Sequence, residues 1–167
     1  PQTPWEGQFR TSKMQGRFQR KTPCVGICST TYGDLVCRGC KRFAHEIVQW
    51  NGYDETQQNQ IWSRLLDLRR EVLKQVVEVQ DKDLFAKACA ELGLAERSED
   101  ECLLELLKLL AREGRAMRSV GLAVLPSALN DVPQHQSDAL AVLQALDNES
   151  YVRSLAHYER NFKVLSS

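Results

Sequence analysis

No apolar run in this 167-residue chain approaches the ~20 residues a helix needs to span a bilayer, so no membrane-spanning helix is expected within it. Its opening, Pro1-Gln2-Thr3-Pro4-Trp5-Glu6-Gly7-Gln8, lacks the basic-then-apolar architecture of a secretory signal. It also lacks an initiating Met, which leaves an upstream segment open. A cytoplasmic location is the expectation. Gly and Pro are not in excess, and no internal repeat or low-complexity tract interrupts the chain, so an ordinary globular protein is expected. Missing too are a Ser/His/Asp arrangement, a phosphate loop and paired carboxylates. His45-Glu46 has no second His at the spacing of a zinc-protease helix. Catalysis therefore has no positive support.

Net charge is also absent, but its distribution is uneven. Residues 1–50 hold eight Lys and Arg against three acidic residues, and residues 51–167 hold fourteen against nineteen. The basic half contains what is present in abundance, cysteine. Cys24, Cys28, Cys37 and Cys40 fall within seventeen residues as two short pairs. In a chain without a secretory leader, so compact a tetrad points to a metal site before it points to two disulfides. Four soft donors suit a closed tetrahedral cage, and two neighbouring turns can supply them. Gly39 lies inside the second pair and Gly26 inside the first, where a tight turn would aim main-chain N–H groups at sulfur. The spacing favours structural zinc; an iron–sulfur cluster, which also takes four cysteines, is the alternative. Lys21, Arg38, Lys41 and Arg42 lie nearby and would favour thiolate over thiol.

The stretches Thr22-Pro23-Cys24-Val25-Gly26-Ile27-Cys28, Gly33-Asp34-Leu35-Val36-Cys37-Arg38-Gly39-Cys40-Lys41-Arg42 and Glu46-Ile47-x2-Trp50 resemble the bacterial domain-of-unknown-function family 1289. Its members are commonly labelled predicted iron–sulfur proteins. The resemblance covers about residues 22–70 and implies that Cys24, Cys28, Cys37 and Cys40 act together as ligands. It supplies no activity. Residues 71–167 look like the longer extension of some members.

The periodicity predicts a mainly α protein. A flexible basic arm (1–22) precedes a four-cysteine knuckle and helix (23–52), and a helical domain (53–167) follows. Short β-like pieces are expected around Val25–Ile27 and Leu35–Val36, with a helix over 41–50 stopped by Asn51-Gly52. Asp54 and Gln57 predict a capping box opening a long helix, whose apolar stripe runs from Ile61 to Val79. Further helices are expected over 82–92, from Ser98 to 113, over 137–146 and over 150–165, with a connection and one short helix at 114–134.

Other residues carry weaker signals. His45 is a candidate to hydrogen-bond a ligand sulfur from outside the metal's own shell. Arg38, Lys41 and Arg42 are candidate contacts for an anion or partner. Cys89 and Cys102 lie on apolar helix faces and are expected to pack. Trp50 and Trp62 are expected as core anchors, as is the stripe from Tyr151 to Phe162. His135 and His157 receive no role. The function expected is a non-catalytic binding or adaptor module with a protein partner and no membrane. A nucleic-acid-binding zinc module and an iron–sulfur redox or sensor protein are the alternatives.

Overall fold

The structure is a computed structural model that describes residues 22–126 and 137–163. The basic arm up to residue 21, His135 and the helix end at Leu165 lie outside the described residues. Among those described, the chain is mainly helical as expected, with five α-helices and one two-stranded sheet. It divides into two compact units, one of residues up to Leu65 with those from His157 onward, the other Leu66–Ala156. Both points of division fall inside helices.

In the first unit, Val36 and Phe43 pair as an isolated antiparallel bridge. Ala44 N–H donates to Leu35 O and Cys37 N–H to Arg42 O, both at 2.9 Å, so residues 37–42 form a closed knuckle. Val25–Ile27 forms no strand, and a 3-10 turn, Ser29–Tyr32, follows it. Helix α1, Ala44–Gln49, starts later than expected because Lys41 sits at φ 65, a left-handed conformation that an α-helix cannot include. A 3-10 turn, Trp50–Gly52, follows. Asp54 and Gln57 then open helix α2, Glu55–Val76, with a reciprocal capping box at 2.8 and 3.0 Å. Val36, Phe43, Trp50 and Ile61 are buried in this unit.

The second unit contains strand β1 (Val77–Val79), helices α3 (Lys82–Glu91) and α4 (Glu99–Glu113), a 3-10 turn (Met117–Val120) and strand β2 (Leu122–Val124). Helix α5, Asp138–Asn161, is the last element. The stripe expected to continue as helix to Val79 instead becomes β1, paired antiparallel with β2 in the register Val77↔Val124 and Val79↔Leu122. Val77 and Val79 flank an exposed Glu78, and β-branched residues suit a pleat. Their partner strand lies in the stretch expected as a connection with one short helix. Asp81 caps α3 through Oδ1, accepting from Asp83 and Leu84 N–H. The core joins Val72, Leu73 and Phe85 to Leu103, Leu106, Leu107 and Leu110 of α4 and to Val142 and Leu146 of α5.

The two last helices expected are one. Residues 147–149 contain no Gly or Pro, and an Arg153–Glu149 ion pair at 2.8 Å spans the join. Leu146, Ser150 and Ser154, spaced by four, are all buried along one face.

Candidate metal centre

The cysteines come from two loops that touch. A Cβ added at Gly39 would lie 2.7 Å from Val25 Cγ2 and 2.8 Å from Ile27 O, so only glycine lets the second loop approach the first. Arg38 N–H donates to Ser29 Oγ at 2.9 Å, and Cys37 Sγ lies 3.6 Å from Ile27 O. All four thiols are unbridged. Cys37 is buried, Cys28 and Cys40 are half-buried, and Cys24 is exposed.

Each sulfur has a donor or polar neighbour. Gly26 N–H donates to Cys24 Sγ at 3.4 Å, and Cys28 Sγ shares a 2.9 Å hydrogen bond with Thr30 Oγ1. Burial alone would raise the Cys37 thiol. The main-chain N–H groups of Cys40, Ser29 and Gly39, with the Cys40 side chain, outweigh it and hold Cys37 below the usual thiol range. Burial pushes the Cys40 thiol up, with Arg42 opposing it and Cys37 adding to the rise. Cys37 and Cys40 thus meet. Among the described residues, no three Cys, His, Asp or Glu side chains are gathered as an ion-holding group. The donor chemistry nonetheless fits a soft metal, because four free thiols occupy two contacting loops with N–H groups aimed at sulfur.

The basic residues beside the cysteines divide in a way the sequence did not suggest. Arg38 is exposed and pairs with Asp34 at 3.4 Å. Lys41, only 7 % exposed, turns its amine onto the Arg38 and Gly39 carbonyl oxygens and so braces the knuckle from inside. Arg42, 3 % exposed, donates from Nε to Cys40 Sγ at 3.3 Å and lies 4.8 Å over the Trp50 ring. The outward contacts expected of Lys41 and Arg42 are therefore corrected: both serve the turn itself.

His45 is also redirected. Its ring lies 4.8 Å from Phe162 and 5.7 Å from Phe43, within a ring cluster completed by Tyr158 and His157, and among the described residues it makes no hydrogen bond to sulfur. The Tyr151–Phe162 stripe expected in a core supplies Tyr158 and Phe162 to this cluster, and Phe162 is partly exposed. His157 stacks on Phe43 at 5.5 Å; burial, then Arg64 and Arg160, hold its imidazole below the usual range against an opposing Glu46.

Beneath the ring cluster lies a pair that sequence reasoning missed. Glu46, only 5 % exposed, accepts the Phe43 N–H at 2.8 Å and takes both Arg64 guanidinium nitrogens at 2.6 and 2.7 Å. Arg64 also lies 4.2 Å over the Phe43 ring. A Glu three residues after the N-cap Phe43 hints at the backbone contact. Nothing local points to Arg64, eighteen positions away.

Cys89 and Cys102 are buried in the second unit as expected. Burial and the Cys102 side chain push the Cys89 thiol up to about 12, so it is held neutral.

Residues 22–75 match the family described as "Protein of unknown function (DUF1289)", in agreement with the resemblance carried by the cysteine motifs. No curated protein and no solved structure matches the chain.

Proposed function

We propose that Cys24, Cys28, Cys37 and Cys40 jointly hold one metal ion, with zinc favoured, and that the chain acts as a non-catalytic binding or adaptor module in the cytoplasm. One observation carries this: four unbridged thiols sit on two loops pressed together at Gly39. So small a segment buries little apolar surface, and a bound metal would supply the folding free energy it otherwise lacks.

A protein partner is favoured over nucleic acid. Of the three cations in the knuckle, Lys41 and Arg42 are buried and Arg38 is exposed. Around the cysteine loops, Ile27 at 72 %, Tyr32 at 90 %, Val25 and Leu35 are exposed instead. Apolar and aromatic side chains of that kind suit a protein surface.

Metal analysis of anaerobically purified protein tests the proposal. One zinc per colourless chain supports it, and Cys37→Ser or Cys40→Ser should lose the zinc while Cys89→Ala keeps it. Stoichiometric iron and sulfide in a brown protein would replace zinc with a cluster on the same ligands. Loss of metal from the Cys89 variant would overturn the ligand set.

A further inference from the structure

Arg42 is more deeply buried than a guanidinium ordinarily is without an anion beside it. Among the described residues it meets no carboxylate. Its contacts are Cys40 Sγ, 3.3 Å from Nε, and the face of Trp50, 4.8 Å from the guanidinium carbon. The same residue's carbonyl oxygen accepts the Cys37 N–H at 2.9 Å, so Arg42 grips both ends of the Cys37–Cys40 turn. The Trp50 ring fixes the guanidinium plane, a contact for which Arg is better suited than Lys.

Four thiolates around a divalent ion carry excess negative charge, and a half-buried site needs a cation to balance it. Arg38 cannot serve in this way, because it faces solvent and Asp34. We propose that Arg42 is a positioning residue of the four-cysteine site, its buried charge balancing the thiolates and its stack on Trp50 aiming Cys40 at the metal. This rests on the four-cysteine assignment made above.

Competition for zinc between the full chain and a chromophoric chelator tests it, with Arg42→Gln and Arg42→Lys compared against the unsubstituted protein. Far-UV circular dichroism checks that each variant keeps its helices. Arg42→Gln retains a hydrogen-bond donor but no charge and should weaken zinc binding by about 10–100-fold, the usual effect of losing a partner just outside a metal's ligands. Arg42→Lys keeps the charge and should lose clearly less, an ordering that a merely space-filling role would not produce. Unchanged affinity in Arg42→Gln, or equal losses in the two variants, would overturn the role of Arg42 alone. Failure of the unsubstituted chain to hold either zinc or an iron–sulfur cluster would refute the four-cysteine assignment and this inference with it.

Discussion

Replacing Arg64 with Met strips the buried Glu46 carboxylate of its cation. The pair is bidentate, at 2.6 and 2.7 Å, and the same carboxylate holds the first N–H of the knuckle's helix through Phe43. Removing one member of a fully buried pair costs about 3–5 kcal/mol, because the other charge stays behind without compensation. The Arg64 side chain is 30 % exposed, so solvent already screens part of the attraction, and a loss of about 2–3 kcal/mol is expected. Loss of the ring contact to Phe43 adds about 0.5 kcal/mol. Glu46→Gln keeps an acceptor for the Phe43 N–H, so in the Arg64→Met background it should cost little. The double-mutant cycle should therefore return a coupling of about 2 kcal/mol. Urea unfolding at fixed zinc, followed by tryptophan fluorescence, reads it, with Trp50 and Trp62 reporting from this unit. A coupling under about 0.5 kcal/mol, the range of exposed pairs, would refute the claim that this ion pair organises the unit.

Three further outcomes are expected. Gly39→Ala drives a methyl into Val25 and the Ile27 carbonyl and should lower zinc affinity at least about tenfold in chelator competition, the cost of modest overpacking. Gly121→Ala combines a left-handed φ of 76 with a methyl falling on the Asp81 carbonyl oxygen; urea titration should show a loss of about 3 kcal/mol. The Cys89 thiol, raised to about 12 in the folded protein, ionises in the unfolded chain from about pH 8.5 upward. Its contribution is complete below that pH and is lost as pH climbs toward 12, at no more than roughly 1.4 kcal/mol per pH unit. Cys89→Ala should flatten that slope, and native Cys89 should react slowly with thiol reagents at pH 8.

Local signals were legible wherever one segment sufficed to fix them. Asp54 with Gln57 marked the start of α2, and the buried face of α4 followed its period. The cysteine spacing likewise picked out two turns that do come together at Gly39. What stayed hidden depended on partners remote in the chain. Val77–Val79 becomes a strand because Leu122–Val124 lies beside it, and a helical period there was equally compatible with the residues. Asp147-Asn148 resembles a helix break, yet burial of Leu146, Ser150 and Ser154 carries α5 through it. Lys41 and Arg42 read as surface cations, since nothing in a lysine or arginine announces that carbonyl oxygens, a sulfur and an indole ring will enclose it.

X-ray absorption at the metal edge of the purified, metal-loaded chain is the most direct measurement. Four sulfur scatterers at about 2.3 Å around a single zinc are expected. A shell of nitrogen and oxygen, or sulfur from only Cys37 and Cys40, would show that the two cysteine loops do not share an ion.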